Sequence, residues 1–521
     1  MKVKVNPRTV LVLLSIAVML VVNLGCEKDK EVGPSSLADS TGVHEIFDIS
    51  AIATTRIADK LPGNVIRYGH VWAKTSESTA PPTISNTKLE TTGALPASGR
   101  FSSAITGLTV NTDYQLRAFV ETNEGIAYGE LKTFKTAKDY ISRLVRALDD
   151  SLKNRGFGYS FIVTQKDQIV GEGFGGLAAR SVEDGGERPV SLDSKMQIAS
   201  MTKTITAAAF LKLAEGKGIK TTDKILPYIP KSWIIGPNID KITFRDLMFH
   251  QSGIIGLAAG CVNRTLSDNG WYGLQALIEK GVESENYGKR CYQNANYGLF
   301  RILIPSILGY AFKEDNYTDD QETRKIYEKY IQDEVLVKLG VTSSEILVNS
   351  TTAPTYGYDF PFTEGVKGYD PGDLRNAAGG YGIYLSAHEA SKVFSKLFSK
   401  TDVSVLSNAM KDTILTNGLG SYSTVTPQGK FSYHDGWWPI KLRNGNYSGF
   451  RSLWMTCPDD ITVVLFTNGL RHDDGLFPIR SNNYSDITSY VLWAFSGITT
   501  SEGARKLPVN FDQYLKDLQP H

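Results

Sequence analysis

The sequence predicts a multi-domain chain. An all-β sandwich covers residues 44–137, and an α/β (α+β) unit covers 138–521, with an antiparallel sheet built from both of its ends around a helical insertion. Three observations carry this reading. The chain has 521 residues, past the size at which one core stops growing. Short alternating apolar and polar runs separated by turns fill the stretch up to Thr136. At Lys138 the pattern changes to helical spacing, and strand-like runs stand at both ends of the segment that follows, with helical material between. With 41% hydrophobic residues the chain is no disordered polymer. The balance of 56 basic and 55 acidic side chains excludes nucleic acid as its main partner.

Residues 1–25 read as an export signal. Lys2, Lys4 and Arg8 precede an apolar run from Val10 to Val22, broken only by Ser15. That run is shorter than the roughly 20 residues a membrane span needs, although an uncleaved anchor is the competing reading. Leu24-Gly25-Cys26 followed by the polar Glu27-Lys28-Asp29-Lys30 resembles a bacterial lipoprotein signal. The resemblance implies lipidation of Cys26, export, and attachment to a bacterial membrane, on its periplasmic side or on the cell-surface face of the outer membrane. Removal of the three signal cations takes the formal charge from +1 to −2.

Polar residues with Gly, Pro and Ser across 26–43 predict a flexible tether. In the sandwich, Val65 to Trp72 and Tyr114 to Val120 read as strands. Leu108-Thr109-Val110-Asn111-Thr112-Asp113-Tyr114 resembles the approach to the tyrosine corner of a fibronectin type III domain. The resemblance implies a spacer or a binding module.

The second unit opens with Ile141, Leu144, Val145, Leu148 and Leu152 at helical spacing. Strand-like runs follow at Gly158–Thr164 and Gln168–Gly173; near the other end stand Arg451–Thr456, Ile461–Thr467 and a helical run, Ile487–Phe495. Cys261 and Cys291 bracket one segment and either pair in an oxidising compartment or stay as two buried thiols. With no CxxC pair, no HExxH and scattered histidines, neither a metal site nor a cofactor is expected.

Ser200-Met201-Thr202-Lys203 precedes an alanine- and leucine-rich run ending at Gly216, so a helix is expected with Ser200 at its start. Three-residue spacing places the Lys203 amine one turn from the Ser200 hydroxyl. A serine hydroxyl needs a neighbouring base to become a nucleophile, and a desolvated lysine can serve. The same spacing recurs at Ser85 and Lys88 in a turn-rich stretch, which is read as chance. Downstream lie Tyr292-Gln293-Asn294 and Tyr433-His434-Asp435-Gly436-Trp437-Trp438.

In this order the motifs resemble the serine β-lactamases and penicillin-binding proteins, especially the class C β-lactamase and esterase branch, over roughly residues 140–500. Stretches such as Gln197-Ile198-Ala199, Phe249-His250-Gln251-Ser252-Gly253 and Ala377-Ala378-Gly379-Gly380 add to the likeness. The resemblance implies Ser200 as nucleophile, Lys203 as its proton acceptor and Tyr292 as proton relay. Asn294 would hold Lys203 or the substrate, and His434 would line the site. The Ser200 and Trp437 N–H groups would form the oxyanion site, with Gly436 letting the strand approach.

Asp435 stands where penicillin-recognising relatives carry Thr or Ser, and a carboxylate there should repel a substrate carboxylate. His434, neutral near pH 7, brings little positive charge. Both residues favour a small ester or amide as substrate. D-alanyl-D-alanine carboxypeptidase or β-lactamase activity is the alternative, and a catalytically inactive surface binding lipoprotein is the other. Pro439 to Ser448 reads as an extended hairpin over the site, with Trp437 and Trp438 at its base.

Overall fold

A computed structural model describes residues 38–44, 46–57, 63–137, 140–257, 269–343, 345–360, 363–426, 429–443, 445, 447–470 and 487–496. Cys26, Cys261 and the signal-like segment lie outside the described residues. The chain divides into two compact units between Tyr140 and Ile141.

Among the described residues the first unit holds eight strands: β1 (Ala38–His44), β2 (Ser50–Ile57), β3 (Val65–Lys74), β4 (Thr87–Thr92), β5 (Arg100–Thr106), β6 (Asp113–Thr122), β7 (Gly125–Tyr128) and β8 (Lys132–Lys135). One antiparallel sheet runs β1-β2-β5; the other runs β4-β3-β6-β7, with β8 also on β6. Ala51, Ala53 and Ile105 of the first sheet and Trp72, Leu116 and Phe134 of the second share one core, which makes the unit a sandwich. β1 begins inside the segment expected to be a tether. Its sequence is polar, and it is held instead by its ladder with β2 and a 2.9 Å hydroxyl contact between Thr41 and Thr55. β6 is buried on both faces: Gln115 donates to the Ser78 and Ala80 carbonyls, and Arg117 lies 3.8 Å over the Tyr128 ring. The Tyr114 hydroxyl accepts the Thr109 N–H at 2.9 Å, closing the corner before β6.

The second unit is built on a seven-stranded antiparallel sheet. Its members are β9 (Tyr159–Gln165), β10 (Gln168–Gly175), β14 (Tyr358–Phe360), β16 (Tyr422–Thr426), β17 (Gly429–Lys441), β18 (Tyr447–Cys457) and β19 (Ile461–Thr467). The order is β10-β9-β19-β18-β17-β16, with β14 on β18. Two short pairs complete the strands: β11 (Leu177–Ala179) with β12 (Arg188–Pro189), and β13 (Met196–Gln197) with β15 (Tyr384–Leu385). β9 and β19 pair from Ile461↔Gln165 to Thr467↔Tyr159, so the sheet closes with strands from both ends of the unit. Every residue of β19 is buried, because helices cover both faces.

Helices Ile141–Leu152 and Thr488–Ser496 pack together beside β10 and β18. On the other face Trp454 of β18 stacks on Phe394 and Phe398 of the helix Ala387–Phe398. Its indole N–H donates to Thr204 Oγ1 of the helix Thr202–Lys217 at 3.0 Å. That helix is buried all round from Thr202 to Phe210, and its alanines let neighbours approach closely. It ends at Gly218, whose φ of 68° is a left-handed cap, two residues beyond the expected stop at Gly216. The insertion contributes helices Trp271–Lys280, Asn294–Gly298, Phe300–Leu308 and Asn316–Ile331.

Candidate active site

Ser200 sits in a 3₁₀ turn, Ala199–Met201, that leads straight into the helix Thr202–Lys217. Ala199 has φ of 45°, a left-handed conformation that costs an alanine of order 1 kcal/mol and is held by its surroundings. Those surroundings are specific. The Ala199 N–H donates to Gln197 Oε1, and Ser452 Oγ donates to the Ile198 carbonyl at 2.7 Å.

The fully buried Lys203 amine reaches three oxygens: Ser200 Oγ at 2.9 Å, Asn294 Oδ1 at 2.8 Å and the Gly380 carbonyl at 2.7 Å. The Tyr292 hydroxyl donates to Ser200 Oγ at 2.9 Å, and the amine lies 4.9 Å from the Tyr292 ring centre. Two residues far apart in sequence, Lys203 and Tyr292, thus converge on one hydroxyl. Asn294 starts the short helix Asn294–Gly298, which places its amide and the Tyr292 phenol on adjacent turns of the same segment.

That segment is strapped to the loop around His250. The Cys291 N–H donates to the His250 carbonyl at 2.7 Å, and the Gln293 N–H reaches His250 Nδ1 at 3.3 Å. Ser252 Oγ donates to Asn296 Oδ1 at 2.6 Å. Cys291 is disulfide-bonded, so it is no free thiol; Cys457 is buried and free.

β17 forms the opposite wall. β16 pairs with it only from Gly429 to Tyr433, so from His434 onward β17 borders the Ser200 turn instead. Gly436 is where the two touch. A Cβ there would meet the Ser452 hydroxyl, with the Ile198 carbonyl at 2.6 Å and the Ala199 Cβ at 2.9 Å. Only glycine permits that approach. Ser200 and Trp437 therefore lie on two segments joined through Gly436. Trp437 is partly exposed, while Trp438 is buried and packs edge-on against Tyr381 at 4.8 Å.

His434 is buried with its Nδ1 on the Asp435 carbonyl at 2.7 Å. Burial, with the Lys203 charge nearby, pushes its pKa down to about 4, so the ring is neutral at physiological pH. Asp435 differs from the expectation of an unbalanced carboxylate. Arg451, fully buried on β18, lies 3.6 Å from it and balances its charge.

Sequence reasoning missed several contributors. The Gly380 carbonyl is the third partner of Lys203, and its loop passes Asn294 and Tyr297 at backbone distance. The paired glycines Gly379-Gly380 were the available signal, since Gly379 has φ of 112°. Tyr297, buried, donates to the Met248 carbonyl, and burial pushes its phenol well above the usual range. Arg451 carried no signal, because its partner depends on strand register.

Residues 141–478 match the family model described as Beta-lactamase. Among curated proteins, "Putative penicillin-binding protein PbpX" of Bacillus subtilis (strain 168) is 24% identical over 363 residues, 68% of this chain and 81% of its own length. "Teichoic acid D-alanine hydrolase" of Staphylococcus aureus (strain MRSA252) is 22% identical over 293 residues, covering 56% of this chain and 66% of that protein. Two solved structures share the fold with a TM-score of 0.50. The octameric penicillin-binding protein homologue from Pyrococcus abyssi is 18% identical, covering 73% of this chain and 82% of that one. The D-amino acid amidase from Ochrobactrum anthropi SV3 is 17% identical, covering 69% and 99%.

Proposed function

This chain belongs to the beta-lactamase family of serine hydrolases, and from that premise we propose that it forms an acyl-enzyme on Ser200 and hydrolyses a small ester or amide. The observation that carries the reading is the convergence of Lys203 Nζ and Tyr292 OH on Ser200 Oγ, each at 2.9 Å.

Asn294 Oδ1 and the Gly380 carbonyl take two N–H groups of the Lys203 amine. In the neutral amine the lone pair then faces Ser200 Oγ and accepts its proton as the oxygen attacks the acyl carbon. Tyr292 passes a proton to the leaving alcohol or amine, whose bond to the acyl carbon breaks. The same groups take a proton from water when it attacks the ester on Ser200, and the acid is released with Ser200 restored. The Ser200 and Trp437 N–H groups would bind the transient oxyanion, each worth about 3 kcal/mol in the transition state.

D-alanyl esters are the acyl donors to try first, since a relative is named as a teichoic acid D-alanine hydrolase. The neutral His434 brings no charge and Asp435 offers no hydroxyl, which makes β-lactams and D-alanyl-D-alanine peptides the weaker reading. The test is turnover: a D-alanyl ester should be cleaved with saturation kinetics that Ser200→Ala abolishes, while millimolar penicillin leaves no lasting adduct. Turnover of penicillin in place of the ester would reverse the assignment.

The proposal extends to place and architecture. The signal-like residues 1–25 and Cys26 support an exported, lipid-anchored enzyme. The Tyr114 corner and the three- and five-stranded sheets support a fibronectin type III-like module, read as a spacer between anchor and enzyme.

A further inference from the structure

His250 closes the turn that follows the short helix Phe244–Met248. It is buried and held at φ of 57°, a left-handed backbone that histidine adopts more readily than a β-branched residue. The Leu247 carbonyl accepts its N–H at 3.0 Å, which fixes the turn from the helix side.

Three parts of His250 meet the segment that carries Tyr292. Its carbonyl accepts the Cys291 N–H at 2.7 Å, and its Nδ1 accepts the Gln293 N–H at 3.3 Å. Its ring centre lies 4.3 Å from that of Tyr292, with 33° between the planes. One residue thus grips the chain on both sides of Tyr292 and covers the ring between them. The polarity of the grip follows from its neighbours. Ser252 Oγ donates to Asn296 Oδ1 at 2.6 Å, which turns the Asn296 amide nitrogen towards His250 Nδ1 at 3.2 Å. Nδ1 therefore faces two donors and is the acceptor, with the ring proton on Nε2.

Tyr292 needs such a grip. Residues 290–293 belong to no helix or strand, so no ladder or helical turn sets the direction of the phenol. Proton transfer requires a donor and acceptor within roughly 2.6–3.2 Å, and the Tyr292 hydroxyl meets Ser200 Oγ at 2.9 Å. A displacement of about 1 Å can cost on the order of 10²-fold in rate.

We propose that His250 is a positioning residue for the acylation step: through its Nδ1 and its ring face it holds the Tyr292 hydroxyl on Ser200 Oγ, and it takes no proton itself. The inference rests on the acyl-enzyme reading with Tyr292 as proton relay, and it adds a residue outside the set of Ser200, Lys203 and Tyr292.

The test is the rate at which a fluorophosphonate labels Ser200 in the full chain, followed for His250→Gly and His250→Asn, each alone and combined with Tyr292→Phe. Glycine and asparagine both accept the left-handed backbone, and asparagine returns an acceptor oxygen near the place of Nδ1. His250→Ser takes the place of His250→Gly if that chain does not fold. His250→Gly should slow labelling about tenfold or more, and His250→Asn should stay within about threefold of the unaltered chain. In the Tyr292→Phe background His250→Gly should add less than about threefold, because the hydroxyl it positions is gone. Losses that multiply in the double variant, an unaltered rate in His250→Gly, or a His250→Asn chain as slow as His250→Gly would overturn the proposal and leave the acyl-enzyme reading standing. An unaltered chain that is not labelled removes the acyl-enzyme reading itself, and labelling unaffected by Tyr292→Phe removes the relay on which the inference rests.

Discussion

On the proposed mechanism, three side chains and one glycine set the chemistry. Lys203→Ala would then remove the proton acceptor and should lower kcat by about 10²–10⁴-fold in steady-state ester hydrolysis. Tyr292→Phe keeps the ring and removes only the hydroxyl at 2.9 Å from Ser200 Oγ. It should lower kcat by a similar factor while thermal stability stays within a degree or two. Gly436→Ala forces a methyl against the Ile198 carbonyl and Ala199, so it should move the Ser200 turn. A loss of about 1–3 kcal/mol in stability, read by denaturant melts, is expected together with a loss of activity. Retained activity in Gly436→Ala would show that the close approach is not needed. His434 binds its proton more weakly when folded, near 4, than when unfolded, near 6.5. Stability from its neutral burial is therefore complete above pH 6.5 and is lost as pH falls from 6.5 towards 4, by about 3 kcal/mol. Melting at stepped pH with His434→Gln as control checks this, because the variant should flatten that part of the curve.

At the scale of elements, the helix Thr202–Lys217 and the strand β17 hold the site between them. Asp435 and Arg451 tie β17 to β18 beside Trp437. Asp435→Asn removes one charged partner of the buried Arg451 guanidinium and should cost about 1–3 kcal/mol in a denaturant melt; no measurable cost would mean that the pair is solvated. Much of this level was legible in the sequence. Ser200 to Gly216 announced a buried helix by alanine content, and Ile461–Thr467 was bounded to the residue because a strand covered on both faces is a continuous apolar run. The long hairpin from Pro439 to Ser448 was also readable: Lys441 pairs with Tyr447. β1 was not legible, since a polar edge strand held by backbone ladders leaves no apolar pattern. The Asp435–Arg451 pair was not legible either. Sixteen positions separate the two, and only strand register reveals that they meet.

Across the whole molecule, the described site residues all come from the second unit. The first unit has its own core and its own pH liability. His70 is buried between Thr55 Oγ1 at 3.0 Å and Ser103 Oγ at 2.8 Å, and burial lowers its pKa to about 4. Its neutral form is favoured above pH 6.5, so the sandwich should weaken as pH falls from 6.5 towards 4. Tryptophan fluorescence of a fragment spanning residues 38–140 should report that transition through Trp72, and His70→Gln should shift it to lower pH. The proposed function puts the chemistry in the second unit and reads the first as a spacer. The claim at the centre is covalent: the acyl group is carried by Ser200. Incubation of the full chain with a fluorophosphonate, followed by peptide mapping, tests it most directly. The account predicts one adduct, on the peptide containing Ser200, absent in Ser200→Ala and slowed in Lys203→Ala; an unlabelled chain, or an adduct that persists in Ser200→Ala, would contradict it.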